Sequence, residues 1–400
     1  MTEEPTRRVL AVFADAGLTA RFVGGAVRDA VLGRTVLDID IATPVPPSEV
    51  MALMNKAGIK VVPTGIDHGT VTAVVRPRHF EITTLRRDVE TMGRRALVAF
   101  TEDWAKDAER RDFTMNALFL DPDGTIHDPV GGLADLRAGR VRFVGDPETR
   151  IREDVLRLLR FYRFFAHYGR GMADAAARAA CRALVPLLPT LSAERVAAEL
   201  LKLLAAPDPL PALRLMAEDG VLAAVMPEAR RQDRLAGLVT VESEASVEID
   251  PVRRLAALTD GDRASAIAMA ERLRLSTVQR ERLAALAEPP WPVELDAGTP
   301  AQRRAYYHLG AALYRDLVLL RAAERRDAAR ARVLLAEALS WGKLEFPLRG
   351  RDVKALGLAA GPAIGKLLGQ VEAWWEAGDF QASRIQCLDY LKTCAGRSHK

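Results

Sequence analysis

Hydrophobic and polar residues alternate in the first third of the chain and recur at helical spacing in the remainder. Short apolar or alternating runs at residues 36–41, 71–75 and 80–85 predict β-strands. The turn signal DPDG at residues 121–124 predicts a hairpin between two further short strands. The first 145 residues are therefore expected to form a mixed α and β domain.

From Pro147 onward the chain is rich in Ala, Leu and Arg, with apolar residues at the period of α-helices. Proline breaks, such as Glu288–Pro292, separate the helical runs. We predict an α+β fold class, in which a mixed-sheet head precedes an elongated all-α remainder. We expect domains at residues 1–145 (head), 146–205 (helical neck), 206–340 (helical body) and 341–400 (helical tail).

Arginine dominates the basic residues of this 400-residue chain. It has 57 Lys and Arg, of which only nine are Lys, against 53 Asp and Glu, and its net charge is +4. The planar guanidinium binds phosphates and base edges through two parallel hydrogen bonds, whereas an ammonium acts as a point charge. The composition therefore permits a nucleic-acid partner without requiring one.

Several classes of protein are excluded by the sequence. No run of 18 apolar residues is present, and the polar N-terminus MTEEPTRR lacks a signal-peptide core, so we predict a cytoplasmic protein without a membrane partner. Three cysteines without a C-x-x-C pair do not make a disulfide framework. No protein partner follows from the sequence.

The most informative segment is RFVGGAVRDAVLGRTVLDIDIAT, at residues 21–43. Paired glycines at Gly24–Gly25 let backbone amides approach a phosphate, and Arg28 follows one turn later. Asp38 and Asp40 lie two apart on a predicted strand and so share a face. Such a pair suits Mg²⁺ bound together with substrate phosphates, and two ions suit an in-line phosphoryl displacement.

Each of these features alone has an ordinary structural explanation. A single Gly-Gly is usually a turn, and a single Asp-x-Asp is usually solvated surface. Here both fall within one strand–turn–helix–strand unit. Leu37, Ile39 and Ile41 predict that the strand is half-buried, which makes a merely solvated pair less favoured.

A second polar cluster occurs in EDVLRLLRFYRF, at residues 153–164. Helical spacing places Asp154, Arg157 and Arg160 on one side. A carboxylate only accepts hydrogen bonds and a guanidinium only donates them, so the Asp154–Arg157 pair matches the amine and ring nitrogen of cytosine and adenine. Uracil and guanine present the reverse pattern and are predicted to be rejected. Arg160 and Arg163 are expected to reach phosphates; the alternative is an exposed, ion-paired helix face.

Five segments, in order, resemble the motifs of class II nucleotidyltransferases, the family of tRNA CCA-adding enzymes and bacterial poly(A) polymerases. They cover residues 21 to about 204, roughly half of the chain. The segments are GGAVRD with DID (24–40), RRDFTMNAL (110–118), DPVGGLADL (128–136), EDVLRLLRFYRF (153–164) and LSAERVAAELLKLL (191–204).

The resemblance implies a polymerase-β-like head and a set of site residues. It implies that Asp38 and Asp40 are catalytic and hold Mg²⁺. Additional candidates are Glu81, as a third carboxylate on a neighbouring strand, and Glu153. Asp112 is expected either to hold a ribose hydroxyl or to cap the next element. The implied nucleotide-binding residues are Gly24, Gly25, Arg28, Arg111, Asp112, Asp154, Arg157, Arg160 and Arg163.

The implied reaction is the addition of CCA to tRNA 3′ ends from CTP and ATP, with release of pyrophosphate. A poly(A) polymerase and a non-catalytic RNA-binding relative remain alternatives. The segment PTGIDHGTVT (63–72) resembles the CCA-adding pattern. The stretch 87–103 is expected to be the flexible loop linked to the switch from C to A addition. Because Met92 stands where a small or acidic residue is expected, an enzyme adding only CC or only A is also open.

The C-terminal segment 344–368 resembles the tail of CCA-adding enzymes. Its basic residues are predicted to contact the tRNA backbone. These candidates are Arg349, Arg351, Lys354 and Lys366.

Overall fold

The computed structural model describes residues 1–92, 95–356 and 362–397. The chain divides into two compact units, Met1–Pro227 and Glu228–Lys400. The first unit contains a mixed sheet, and nearly all of the remaining described elements are helices, which confirms the predicted α+β class. The four predicted domain boundaries stay predictions.

All nine described strands lie between residues 21 and 127, in the first unit. They are β1 (Arg21–Val23), β2 (Ile39–Thr43), β3 (Lys60–Gly65), β4 (Thr70–Val75), β5 (Arg78–Thr84), β6 (Arg86–Met92), β7 (Arg95–Phe100), β8 (Phe119–Leu120) and β9 (Ile126–His127).

Eleven α-helices among the described residues belong to the first unit. They are α1 (Glu4–Asp15), α2 (Gly25–Val31), α3 (Pro47–Lys56), α4 (Trp104–Glu109), α5 (Gly132–Ala138), α6 (Pro147–Glu153), α7 (Leu156–Tyr168), α8 (Ala175–Leu184), α9 (Ala193–Leu204), α10 (Leu210–Glu218) and α11 (Val221–Val225). Short 3₁₀ turns occupy Ile66–His68, Thr114–Asn116 and Val185–Thr190.

The described part of the second unit is built from helices. They are α12 (Gln232–Glu244), α13 (Pro251–Leu258), α14 (Arg263–Arg272), α15 (Thr277–Ala287), α16 (Thr299–Arg325), α17 (Ala328–Trp341), α18 (Gly350–Lys354), α19 (Pro362–Ala377) and α20 (Arg384–Arg397). No helix in the described part of the chain is long and apolar enough to cross a membrane.

The main sheet has seven strands in the order β3-β4-β5-β2-β1-β8-β9. Strands β2 and β5 are parallel, and the other neighbours are antiparallel. The register of the parallel pair places Asp40 opposite Glu81. The prediction that Glu81 lies on a strand next to that of Asp40 is therefore confirmed. Ile39 and Ile41 are 3% and 0% exposed, so β2 presents its alternate residues to the core and Asp40 to the opposite face.

Two local predictions are wrong. The strand predicted over 36–41 begins only at Ile39, and Leu37 is 76% exposed, so Asp38 precedes the strand and is itself exposed. The loop predicted over 87–103 is largely a two-stranded hairpin of β6 and β7. Residues 96–100 form the short apolar run ALVAF, which is consistent with a strand. Gly93 and Arg94, within the predicted loop, lie outside the described residues.

Candidate active site

One open cavity of about 470 Å³ in the first unit gathers most of the predicted site residues. Its walls come from the turn before α2, from β2, from the 3₁₀ turn Thr114–Asn116 and from the junction of α6 and α7. A volume of this order fits a nucleotide-sized ligand. It is lined by Gly24, Gly25, Arg28, Asp40, Arg110, Arg111, Asp112, Asn116, Asp154, Leu156, Arg157, Arg160, Phe164 and Arg195.

The glycine turn lies directly against two arginines. Gly24 has φ +67°, a conformation that favours glycine, and a Cβ there would lie 3.4 Å from Nη1 of Arg111. A Cβ on Gly25 would lie 3.5 Å from Nη2 of Arg28. The absence of side chains therefore leaves the backbone open beside both guanidinium groups, as an anion-binding turn requires.

Arg28 is buried and fixed on several sides. Its Nη1 donates to Oδ1 of Asn116 at 2.8 Å, and its Nε and Nη2 donate to the carboxylate of Asp29 at 3.0 and 2.8 Å. The guanidinium carbon lies 4.2 Å from the centroid of the Tyr168 ring. These contacts restrict the rotamers of Arg28, so that little entropy remains to be lost when it binds an anion.

Arg111 is held by a carboxylate on the preceding helix. Nε and Nη2 of Arg111 donate to Oδ2 of Asp107 at 3.1 and 2.8 Å, and the other oxygen of Asp107 accepts from the amide of Arg86. Asp107 is 1% exposed. One buried carboxylate thus joins Arg111 to the base of the β6–β7 hairpin.

Like charges crowd around Asp40. Burial, followed by the nearby carboxylate of Glu81, raises the pKa of Asp40 to about 6, and Asp38 acts in the same direction; Arg111 opposes them. Because the ionised form of Asp40 is disfavoured by its surroundings, a bound cation would stabilise this site.

The carboxylates fit a magnesium ion that is shared with a substrate. Magnesium in nucleotide enzymes is typically held by one or two carboxylates together with substrate phosphates. Asp40 lines the cavity and Asp38 does not, although Asp38 is near enough to raise the pKa of Asp40, so the Asp38–Asp40 metal pair stays a prediction. No group of three or more His, Cys, Asp or Glu side chains in the described ranges is close enough together to hold a metal. Glu81 is therefore not assembled with Asp38 and Asp40 into a three-carboxylate site, and its role as a third ligand stays a prediction.

Asp112 is engaged inside the protein. Its Oδ1 accepts from the amide of Phe113 at 2.8 Å and from Nδ2 of Asn116 at 2.9 Å, while Oδ2 accepts from Nε of Arg160 at 2.7 Å. Arg160 and these hydrogen bonds lower the pKa of Asp112 despite its burial. Asp112 is not the N-cap of the following 3₁₀ turn, which is Phe113, and it holds Arg160 against the cavity wall.

The expectation that Asp154, Arg157 and Arg160 share one helix is wrong. Helix α6 ends at Glu153, Asp154 is extended with φ −147° and ψ 105°, and α7 begins at Leu156. The Asp154 carboxylate instead accepts from Nη2 of Arg195 on α9, at 3.0 Å to Oδ1 and 2.9 Å to Oδ2. The residues still meet in one cavity, because the helix break turns Asp154 toward it.

Arg157 is positioned by Glu153 and by backbone carbonyls. Its Nη1 donates to Oε2 of Glu153 and, at 3.1 Å, to the carbonyl of Arg150. Nη2 donates to the carbonyl of Arg110 at 3.4 Å. Glu153 lies outside the cavity lining and orients Arg157.

The prediction that Arg160 and Arg163 reach phosphates stays a prediction, and the structure pairs both guanidinium groups with carboxylates of the protein. Arg160 pairs with Asp112, as described above, and Nη1 of Arg163 donates to Oε1 of Glu199 at 3.0 Å. Arg163 is outside the cavity lining, and burial lowers its pKa. Arg163 therefore joins α7 to α9, whereas Arg160 contributes to the wall.

Three positioning residues were not selected from the sequence. Asn116 bridges Arg28 and Asp112, Asp107 holds Arg111, and Arg195 holds Asp154. Asn116 and Arg195 lie within segments that resemble family motifs, and this position was the one feature of the sequence that could have indicated a role in the site. Their partners are 88 and 41 residues distant in sequence, so spacing alone gave no indication of the contacts.

The predicted tail residues lie on the surface of the second unit. Arg349 precedes α18, Arg351 and Lys354 lie on it, and Lys366 lies on α19; all four side chains are exposed. Their contact with the tRNA backbone stays a prediction.

Comparison with known proteins gives consistent results over both units. The family model described as "Poly A polymerase head domain" matches residues 20–142, and "Probable RNA and SrmB- binding site of polymerase A" matches residues 174–232. "CCA tRNA nucleotidyltransferase 1, mitochondrial" of Mus musculus is 33% identical over 407 residues, covering 97% of this chain and 90% of that protein. Because that relative is named as mitochondrial, the predicted cytoplasmic location stays a prediction.

Shorter and structural matches agree. "CCA-adding enzyme" of Geobacillus thermodenitrificans is 44% identical over 207 residues, covering 51% of this chain and 50% of that enzyme. The crystal structure of Bacillus stearothermophilus CCA-adding enzyme in complex with CTP has a TM-score of 0.79 and 28% identity, and covers 100% of this chain and 99% of that chain.

The mixed-sheet head, the Asp40 carboxylate on β2 and the arginine-lined cavity define the class of nucleotidyltransferases with a poly(A)-polymerase-type head. Within that class, the chain belongs to the family of CCA-adding tRNA nucleotidyltransferases.

Proposed function

We propose that this protein adds CCA to the 3′ ends of tRNA, using CTP and ATP and releasing pyrophosphate. The observation that carries the proposal is the cavity itself. It combines an anion-binding glycine turn with Arg28 and Arg111 at one part and a carboxylate–guanidinium pair, Asp154 and Arg157, at another. A nucleoside triphosphate has the matching ends, a polyanion and a base that both donates and accepts hydrogen bonds.

The proposed reaction joins the tRNA 3′ oxygen to the α-phosphorus of the nucleotide. The bond between the α-phosphorus and the bridging oxygen to the β-phosphorus breaks, pyrophosphate leaves in line, and the proton of the 3′ hydroxyl is released to solvent. Asp38 and Asp40 would hold Mg²⁺, which supplies charge stabilisation for the transferring phosphoryl group. Arg28 and Arg111, which Asp29, Asn116 and Asp107 keep in place, bind and orient the triphosphate.

Base selection is proposed to rest on Asp154 and Arg157. Cytosine and adenine place an amine donor beside a ring-nitrogen acceptor, which complement the acceptor-only carboxylate and the donor-only guanidinium. Uracil and guanine would leave two hydrogen-bonding groups unpaired or opposed, at a cost of about 1–3 kcal/mol for each group. The pair thus replaces a nucleic-acid template.

The reaction is tested by incubating the protein with tRNA that lacks its CCA end, Mg²⁺, and each nucleotide alone or combined. We expect addition of two C and then one A. Long A tails would replace the proposal with a poly(A) polymerase, and addition limited to CC or to A would identify a partial enzyme. Binding of tRNA without any incorporation would favour a non-catalytic RNA-binding protein.

Substitution of Asp154 tests base selection separately. We expect Asp154→Ala to slow C and A addition and to reduce the discrimination against UTP and GTP, measured as a ratio of kcat/KM, by about 10- to 100-fold. Glu148→Ala, which removes an exposed carboxylate of α6 paired with Arg152, is the matched control and should leave discrimination unchanged. Undetectable U and G incorporation in Asp154→Ala would contradict the pairing model.

A further inference from the structure

Asp154 requires an external support, because no helix sets its orientation. It lies in extended conformation between α6 and α7. The neighbouring backbone gives its carboxylate one weak hydrogen bond, from the amide of Leu156 to Oδ1 at 3.2 Å. A side chain at such a junction has several rotamers available in the absence of a partner. Discrimination between bases, however, needs an acceptor at a fixed position.

Arg195 supplies that support from a different helix. Its Nη2 lies 3.0 and 2.9 Å from the two carboxylate oxygens of Asp154, and both residues line the cavity. Among the described residues, Arg195 is the one whose side chain donates hydrogen bonds to the Asp154 carboxylate. The Asp154 and Arg195 side chains are 33% and 25% exposed, so the pair is accessible to a ligand without being fully solvated.

Helix α9 also fixes the register of α7 on the same face. Glu199 lies one turn after Arg195 and accepts from Arg163, in the middle of α7. A further turn on, the carbonyl of Lys202 lies 2.8 Å from Nε2 of His167. The same helix face therefore holds both Asp154 and the helix that carries Arg157, and it can set the distance between the two base-reading groups.

We propose that Arg195 is a specificity-determining positioning residue that holds the Asp154 carboxylate as the acceptor for the exocyclic amine of cytosine or adenine. The inference rests on the proposed function of this cavity. Since a guanidinium donates only, Arg195 occupies part of the carboxylate without introducing an acceptor that uracil or guanine could use. The lone pairs of Asp154 that remain face the ligand and read its amine.

This role differs from direct contact between Arg195 and a nucleotide phosphate. If Arg195 bound phosphate directly, its substitution would lower the affinity for all four nucleotides equally. An arginine that acts through Asp154 would change the choice among bases, and its effect would disappear once Asp154 is absent.

The experiment is a double-mutant cycle in the full-length protein, with Arg195→Met, Asp154→Ala and the double variant. Single additions of C, A, U and G to tRNA are measured as kcat and KM. We expect Arg195→Met to raise KM for CTP and ATP about 10-fold or more, and to reduce discrimination against U and G about 10-fold. Arg195→Lys should recover part of this discrimination. The double variant should discriminate no worse than Asp154→Ala.

The matched control is Arg152→Met, on α6, which removes an exposed guanidinium paired with Glu148 outside the cavity. It should behave as the unsubstituted protein. Equal losses for all four nucleotides in Arg195→Met, or additive effects in the double variant, would overturn the positioning role while leaving the proposed function intact. If the unsubstituted protein adds neither C nor A to tRNA, the proposed function fails and this inference fails with it.

Discussion

At the scale of single residues, the cavity is a set of charged groups that hold one another in place. Arg28, Arg111 and Arg160 each have a carboxylate partner, namely Asp29, Asp107 and Asp112. Such pairing reduces the entropy that is lost on binding and keeps donors directed at the cavity. Asp40 is different, because its closest electrostatic neighbours include two further carboxylates.

Asp40 is therefore expected to lower the free energy of unfolding, although nucleotide incorporation requires it. Its pKa of about 6 in the folded protein exceeds the usual value of about 3.9, so the folded state binds more protons than the unfolded state between these values, and stability falls as pH rises through them. We predict that Asp40→Asn raises the free energy of unfolding by about 1–3 kcal/mol at pH 7.5 without divalent cations, and by less at pH 5. The same variant should lose nucleotide incorporation.

Urea unfolding at both pH values, followed by circular dichroism, measures this difference. Leu37→Gln, at the exposed position just before Asp38, is a control for local surface change. An equal effect of Asp40→Asn at pH 5 and pH 7.5 would contradict the electrostatic explanation.

At the scale of elements, two breaks in helical segments are the important departures from regularity. The break between α6 and α7 turns Asp154 into the cavity. Helix α16 contains a second break at Gly310, where φ is +74° and ψ is 162°. Residues before this kink contact α19, as in the hydrogen bond from the Tyr307 hydroxyl to Glu372, whereas residues after it, such as Asp316, join the buried ion pairs with Arg253.

Gly310 is predicted to be required for its backbone conformation alone. A Cβ at this position would meet nothing within 4 Å, so the cost of Gly310→Ala comes from φ and ψ and should be about 1–3 kcal/mol. Gly365→Ala on α19, where a Cβ also meets nothing within 4 Å and φ is not positive, should stabilise by about 0.5–1 kcal/mol.

Tryptophan fluorescence during urea unfolding distinguishes these two outcomes, since four of the five tryptophans lie in the second unit. A stabilising effect of Gly310→Ala would show that the kink is not intrinsic to the fold.

At the scale of the whole molecule, a nucleotide cavity in the first unit is accompanied by exposed cations on the second. Exposed cations lie at the N-cap of α18, on α18 and on α19, namely Arg349, Arg351, Lys354 and Lys366. Phosphate contacts made by such residues depend on salt, because each contact releases condensed counterions.

We predict that Arg349→Gln with Arg351→Gln, and separately Lys354→Gln with Lys366→Gln, raise KM for tRNA without changing KM for CTP. For each pair, the slope of log KM against log salt should decrease by about 1–2. Arg7→Gln with Arg8→Gln, which removes two exposed cations from α1, is the matched control. If this control shifts the slope equally, the tail has no specific part in tRNA binding.

The sequence by itself determined the residue types of the site and the order of the elements. Glycine at a turn, carboxylates on a strand and guanidinium groups near a helix have intrinsic chemistry, and periodicity reports which face of a regular element is buried. These local properties predicted the α+β class and the adjacency of Asp40 and Glu81. Together with the resemblance to family motifs, they also predicted nine of the residues that line the cavity.

Only the tertiary structure decided which charged groups are paired with one another. Arg163 and Arg160 carry the same spacing signal as Arg157, yet each is bound to a carboxylate from a distant segment. Asp154 leaves the helix that its spacing predicted and is held by Arg195, 41 residues later. Ion pairs between distant segments depend on how helices pack, and a one-dimensional pattern of residues carries no information about that packing.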